Sequence, residues 1–481
     1  MNKPELTADV IVLGAGPGGM AAVAAAAGAG ASVIAVEARA HIGGNAVWST
    51  GYLSFVDSTM QREQGIADSK ELFVSDARRV FEQAGERYGL VWQEPLVRLW
   101  ASESAETHRI LVERGVRFSR FIPRPGLHSV DRMAATVDTW DFQRAFQPDF
   151  ELPAVTTLLR TTAHRLLHDG GKVSGVIVTD ADAGVGERVL HARNGVILAT
   201  GGYQANPALR RRYQPAYLAE GPYLGVETSR GDGHLLGQAI GGDLINMGYL
   251  APLVIVSSSL VEDAIAVNAA GRRFHDECGP YDERVEALLA QPDRRAHYVV
   301  DATVAAEKQA LLEQMPRPAR RADTREELAA VIGCPPQALV DTIARWNAML
   351  REDGADDEFG RVVMPPGRRA IETPPFSAVE MLVGVNFSGG GFRVTEQMQV
   401  LDIFGDPIGG LYAAGDCVGA LGPLADLGGM HICGGLTFGR LAGHSAANAE
   451  HATERRAAVF GSYMPDRIGD RMPIVDLGGA R

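Results

Sequence analysis

Apolar residues near the start of the chain fall in short, uninterrupted runs. Asp9–Leu13 (DVIVL) ends at a glycine, and Ser32–Val36 (SVIAV) ends at Glu37. Runs of this length, closed by glycine or charge, predict strands buried on both faces of a parallel sheet. Between them lie Gly14–Gly19 and an alanine-rich stretch that predicts a helix, completing one strand–helix–strand unit. From Ser69 to Gly115 the apolar spacing turns helical, with charges between. Arg120–Arg132, which contains Pro and Gly, predicts a loop. Leu158–Leu167 and Val173–Thr179 predict strands around the turn Asp169-Gly170-Gly171, and Gly195–Ala199 predicts a further buried strand. From about Met247 the pattern changes to mixed helices and short strands such as Tyr298–Asp301, until the proline-rich crossing Met364–Pro375. Glycine-rich strands then return at Phe387–Val394 and Gly410–Gly415, and a helix is expected from near Gly434 to about Ala447. The simplest architecture is one α/β unit built from both ends of the chain, residues 1–247 and 370–481, with a second unit, 248–369, inserted between.

Composition narrows the partners. The 481 residues carry 46 Lys+Arg against 59 Asp+Glu, a net charge of −13, which argues against nucleic acid and an anionic membrane surface. No apolar run reaches a membrane span, and the polar N-terminus lacks a signal-peptide pattern. Cys278, Cys334, Cys417 and Cys433 lie far apart, so neither a disulfide framework nor a metal site is expected and a cytoplasmic setting is.

Gly14-x-Gly16-x-x-Gly19 sits between a predicted strand and helix, where backbone N–H groups can approach a pyrophosphate at the helix N-terminus. Glu37, 18 residues after Gly19, ends the next strand, where a carboxylate can accept hydrogen bonds from a ribose. This predicts a dinucleotide site, NAD or FAD. His41–Asn45 and Thr50-Gly51 provide glycines that let the chain wrap a long cofactor. Near the C-terminus, Gly410–Asp416 predicts a strand ending in Gly-Asp, with a helix to follow. A helix N-terminus there favours charge on a reduced flavin ring.

These pieces, together with Ala199–Gly202, Gly231-Asp232-Gly233, Val267-Asn268-x-x-Gly271-Arg272-Arg273-Phe274, Gly390-Gly391 and Phe438-Gly439-Arg440, resemble in order and spacing the FAD-dependent fumarate reductase, succinate dehydrogenase and 3-ketosteroid dehydrogenase flavoproteins. The resemblance runs over nearly the whole chain. It implies a Rossmann-type, glutathione-reductase-like FAD domain with an inserted α+β capping domain, and an active site between them. The cofactor contacts it implies are Gly14, Ala15, Gly16, Pro17, Gly18 and Gly19 in the first turn, then Glu37, Ala38 and Arg39. Gly43, Gly44, Asn45, Gly51 and Tyr52 follow, with Ala163, Ala199, Thr200, Gly201 and Asp232 from the middle, and Gly415, Asp416, His431 and Ile432 near the C-terminus. Some members link the flavin covalently through a histidine near the second glycine motif. Ala46-Val47-Trp48-Ser49 has none, so noncovalent FAD is implied.

The site pattern departs from the fumarate and succinate enzymes. Tyr281 stands where they carry a proton-donating arginine, Phe387 where a histidine holds a substrate carboxylate, and Asp426 where an arginine holds another. Pro280-Tyr281 is similar instead to the ketosteroid branch, where this tyrosine takes a proton from the carbon beside the ketone and the flavin takes a hydride from the next carbon. That chemistry needs a base near the α carbon and a donor at the ketone oxygen. Gly429 aligns with the glycine whose N–H polarises the carbonyl, but Ala425 replaces a second tyrosine of that branch. A free tyrosine is a poor base at neutral pH, so Tyr281 needs help from its surroundings or concerted transfer. The implied substrate is a small cyclic ketone, such as a 4-oxocyclohexanecarboxylate-like or 3-oxosteroid-like compound. The alternative is a fumarate reductase-like reductase of an activated alkene. Arg120, Arg124 and His128 lie in a loop able to reach the site if the substrate carries a carboxylate. The electron acceptor is left open among oxygen, a quinone and a carrier protein.

Overall fold

The computed structural model describes residues 5–449, apart from 125, 170, 181–185, 215–220, 250–252, 255–257, 314, 357 and 386. Gly170 of the predicted turn and the tail 450–481 lie outside the described residues.

The main sheet has eight strands. Its path runs Gln399–Leu401, Pro407–Ala413, Lys172–Asp180, Glu187–Leu198, Leu6–Leu13, Val33–Val36 and Val155–Leu158, with Thr161–Asp169 pairing beside Lys172–Asp180. Leu6–Leu13 is parallel to both Val33–Val36 and Glu187–Leu198, and Pro407–Ala413 is parallel to Glu187–Leu198. Strands from both ends of the chain therefore share one sheet. The central strand is covered on both faces, with Val10, Ile11 and Val12 fully buried, which explains its unbroken apolar run.

The helix Pro17–Gly28 is apolar all round because it is enclosed. It packs against the sheet and against the C-terminal helix Met430–Ala447, which also touches the sheet, and the two helices are held at backbone contact. A Cβ added at Gly435 would approach Pro17 and Gly18, one at Gly439 would come 2.1 Å from the Gly18 carbonyl oxygen, and one at Gly443 would come 2.4 Å from the Ala22 carbonyl oxygen. Glycines spaced four apart form one ridge of the helix, so a single stripe permits the close approach.

A second, all-antiparallel sheet runs Ile265–Asn268, Ala296–Val300, Phe376–Glu380, Arg320–Ala322. Phe376–Glu380 lies beyond residue 370, so the inserted sheet draws on chain past that expected boundary. Phe376 can pair here because the proline-rich crossing returns the chain to this sheet. Beneath the sheet Arg273 clamps Glu277 and Asp356, and Arg361 reaches Glu277 from the other side. Burial alone would raise the Glu277 carboxyl; Arg273 and Arg361 overcome that and hold it at about 2.

Other expectations shift locally. Val155–Leu158 is a separate parallel strand, so the run predicted from Leu158 begins a new strand only at Thr161. Within the expected loop Arg120–Arg132, the start belongs to the strand Phe118–Phe121, which joins Met133–Thr136 and Tyr52–Ser54 in a small sheet. Of Phe387–Val394 only Gly391–Phe392 is strand. The last helix starts at Met430, four residues before the expected Gly434, because Gly429 caps it in the left-handed region.

Gly439→Ala is expected to cost about 2 kcal/mol, since its Cβ meets a backbone oxygen that cannot move aside. Gly28→Ala meets nothing within 4 Å and is expected to be neutral or to gain up to about 1 kcal/mol. Denaturant midpoints of the two variants check the contrast; equal midpoints would remove the glycine stripe from the account.

Candidate active site

A cavity of about 620 Å³ runs from the first glycine turn to the inserted segment, where Val254, Tyr281, Arg284 and Leu311 line it. The Gly14–Gly19 loop opens it because Pro17 starts a helix whose first N–H groups have no partner inside the helix. Gly16, Pro17 and Gly18 line it, and Gly44 faces them so closely that its Cβ would lie 2.9 Å from the Gly16 Cα. The two backbones form a cradle that side chains would fill.

Glu37 ends its strand at the cavity wall. Its two carboxylate oxygens accept the N–H groups of Ala15 (2.7 Å) and Arg39 (2.8 Å). Burial raises its pKa in spite of these bonds. Glu37 therefore ties the glycine loop to the second strand as well as facing the cavity. Arg39 also lines it, and its Nη1 is buried with no hydrogen-bond partner. Asn45 does double duty: its side chain accepts the Val226 N–H at 2.8 Å and donates to Ser229 at 3.1 Å. The 223–229 segment thus closes one side of the cavity. The sequence reading missed that segment, whose only local signal is Gly225.

At the other end stand Asp416 and His431. His431 Nδ1 lies 3.1 Å from the Asp416 carboxylate, its ring packs on Phe387 at 3.9 Å between centroids, and its Nε2 is buried without a partner. Gly429, the N-cap of the C-terminal helix, gives its carbonyl to Ser54 N–H at 3.0 Å. A Cβ there would sit 2.5 Å from Ser54 N, so only glycine fits.

Most residues expected at the cofactor line this cavity: Gly14, Gly16, Pro17, Gly18, Glu37, Ala38, Arg39, Gly44, Asn45, Tyr52, Ala163, Ala199, Thr200, Gly201, Asp232, Gly415, Asp416, His431 and Ile432. Four do not. Ala15 is turned to Glu37 and Gly43 donates its N–H to the Ala15 carbonyl. Gly19 packs on the Gly14 carbonyl and Gly51 on Thr136. These four shape the turns that carry the lining residues.

Tyr281, Gly429, Phe387 and Ala425 all line the cavity, joined by Val254, Arg284 and Leu311. Tyr281 is the first residue of the helix Tyr281–Leu289. Two guanidinium groups lie over its ring, Arg124 at 5.1 Å and Arg284 at 4.7 Å. Arg124 also donates to the carbonyls of Cys278 and Asp426, tying the loop to both neighbours. Tyr52, whose hydroxyl bonds Glu262, is buried; burial and then the Glu262 charge push its phenol well up. Arg120 pairs with the other Glu262 oxygen. His128 is absorbed by structure, contacting the Leu427 carbonyl at 3.0 Å and Arg132 at 3.1 Å. Burial and the charges of Arg132 and Arg124 lower it to about 3. Of the loop residues Arg120, Arg124 and His128, none lines the cavity, and Arg124 reaches it only through the ring of Tyr281. Cys433 is a buried packing residue beside Thr437. Among the described residues there is no cluster suited to a metal ion, and no helix is long and apolar enough to cross a membrane.

A strand–glycine turn–helix, a carboxylate on the second strand and a second helix N-terminus facing one long cavity define a dinucleotide-binding flavoprotein fold. The chain belongs to the FAD binding domain family, which it matches over residues 9–432, and FAD is its cofactor. It is 29% identical over 454 residues to the NADH:fumarate oxidoreductase of Klebsiella pneumoniae (strain 342), which covers 91% of this chain and 47% of that protein. The chain thus spans about half the length of that relative. Among solved structures, an open conformation of a flavocytochrome c3 fumarate reductase superposes with a TM-score of 0.72 at 27% identity, over 93% of this chain and 79% of the other. The 3-ketosteroid-Δ4-(5α)-dehydrogenase of Rhodococcus jostii RHA1 gives 0.66 at 25%, over 92% and 97%. The glycine cradle and the unpartnered Arg39 and His431 nitrogens at the two ends of the cavity fit such a long, polar cofactor.

Glu37→Ala is expected to weaken FAD binding by about 10-fold or more, through lost charged hydrogen bonds and a loosened glycine loop. Titration of the apoprotein with FAD checks it; an unchanged dissociation constant would separate Glu37 from the cofactor.

Proposed function

We propose that the protein is an FAD-dependent oxidoreductase acting on CH–CH bonds, and that it desaturates a small cyclic ketone beside its carbonyl. FAD, when bound, supplies the acceptor for the hydride. The observation that carries the reading is that Tyr281 and Gly429 both line the cavity, with Phe387 and Ala425, while Tyr281, Phe387 and Asp426 stand where the fumarate enzymes carry their arginine, histidine and second arginine. Gly429 opens a helix, so its end of the cavity offers unpaired backbone N–H groups to a ketone oxygen. Polarising that oxygen makes the neighbouring C–H acidic. The phenolate of Tyr281 takes this proton, and the guanidinium groups against its ring bring positive charge to that anion. The electron pair left on the α carbon forms the C=C bond as the hydride leaves the β carbon. Val254, Leu311 and Phe387 keep water from the reacting carbons. The electrons then pass to oxygen, a quinone or a carrier protein.

Reduction of an activated alkene is supported equally by the relatives, since the name of the Klebsiella protein describes a reductase and the Rhodococcus structure a dehydrogenase. The same groups serve that direction, with Tyr281 as proton donor. Anaerobic addition of a saturated cyclic ketone bleaches the flavin under the first reading; an enone that reoxidises reduced flavin, with no bleaching by the ketone, favours the second.

FAD is proposed to be noncovalent, because the 46–49 turn offers Trp48 to the cavity and no histidine. Acid or heat is expected to release all the yellow colour, and a fluorescent band retained on a denaturing gel would refute this.

Tyr281→Phe keeps the ring with its two arginines and removes only the hydroxyl. Ketone-driven flavin reduction is expected to slow by about 100-fold or more, the usual scale for a lost acid–base group, with FAD content unchanged. Near-normal reduction by the variant would remove Tyr281 from the chemistry.

A further inference from the structure

Arg284 is the one charged side chain that the inserted segment sends to the cavity among the described residues; its companions there are Val254, Leu311 and Tyr281. Arg284 is 5% exposed, and its Nε is buried with no hydrogen-bond partner. One terminal nitrogen donates to the Glu277 carbonyl at 3.0 Å. The Glu277 carboxylate itself is taken by Arg273 and Arg361. Arg124, also over the Tyr281 ring, is 7% exposed and contacts its neighbours through main-chain carbonyls. Neither guanidinium forms an ion pair with a carboxylate of the described residues. The nearby Asp276 accepts the Cys278 N–H, and burial raises its carboxyl. A buried guanidinium without an ion-paired carboxylate is costly, and the other residues that the inserted segment gives the cavity are Val254, Leu311 and Tyr281.

From this imbalance we infer that the cavity takes an anionic substrate, a small apolar ring bearing one carboxylate, and that Arg284 holds the carboxylate. A guanidinium fork suits a carboxylate geometrically, and Val254 and Leu311 suit the ring. The inference builds on the ketone reading for the rest of the substrate: it selects an oxocycloalkane carboxylate over a neutral steroid-like ketone. None of the dicarboxylate positions of the fumarate enzymes is used.

The test uses the FAD-loaded protein and the change in flavin absorbance on ligand binding, with cyclohexanecarboxylate and the uncharged cyclohexanecarboxamide as probes. The carboxylate is expected to bind at least about 10-fold more tightly than the amide, the scale of one charged hydrogen bond. Arg284→Gln is expected to erase the preference and Arg284→Lys to keep part of it, with FAD content and Tm reporting that each variant is folded. Equal binding of acid and amide by the wild type overturns the inference even if the variants do not fold. A preference that survives in folded Arg284→Gln also overturns it. Flavin bleaching by 4-oxocyclohexanecarboxylate and by its methyl ester separates the two readings. If the ester bleaches as fast as the acid, the carboxylate site falls and the ketone reading stands. If the acid binds preferentially and neither compound bleaches, the ketone reading falls and the carboxylate site stands.

Discussion

The contact between Pro17–Gly28 and Met430–Ala447 is the constraint on which the rest depends. Two helices from opposite ends of the chain touch at the backbone because Gly435, Gly439 and Gly443 carry no side chains. That contact sets both helix N-termini against one cavity. One presents Gly16–Gly18, the other Gly429 and His431. Anion-binding N–H groups are thereby offered at two separated points, which a long dinucleotide can bridge and a short ligand cannot. The parallel pairing of Pro407–Ala413 with Glu187–Leu198 fixes the same geometry from the sheet side.

Charge is distributed unequally along the cavity. The cofactor half carries acids and bases that are tied to one another: Glu37 to the N–H groups of Ala15 and Arg39, and Asp416 to His431. At the end lined by the inserted segment, two guanidinium groups lie over the Tyr281 ring, that of Arg284, which lines the cavity, and that of Arg124, which does not. Deeper in the same segment, Glu277 shows the opposite solution, a buried carboxylate satisfied by two arginines.

The strand runs Asp9–Leu13 and Ser32–Val36, the glycine turn and Glu37 were legible in the sequence because each is a local signal: a buried parallel strand is apolar on both faces, and a phosphate turn needs glycine. The union of the two chain ends was legible in the return of glycine-rich strands and a helix after Pro375, and the family resemblance pointed the same way. Arg120 and Phe121, the end of the strand Phe118–Phe121, were read as the start of a loop because Pro and Gly follow closely, and Phe387–Val394 was read as strand although Gly389 and Gly390 stack on the Gly422 and Met247 backbones and only Gly391–Phe392 pairs.

The sequence by itself determined the nucleotide-binding turn, the position of Tyr281 and the replacements at Phe387, Ala425 and Asp426, since those depend on residue type at a spacing. Only the tertiary structure decided what surrounds Tyr281. The 124–128 loop was a reasonable source of substrate contacts, yet His128 is spent on the Leu427 carbonyl and Arg124 on the Asp426 carbonyl, 302 residues away in sequence. Arg284 drew no notice, since a lone arginine in a helix is ordinarily a solvated one. The fold buries it to 5% exposure, and burial is what turns an ordinary charge into one that needs a partner.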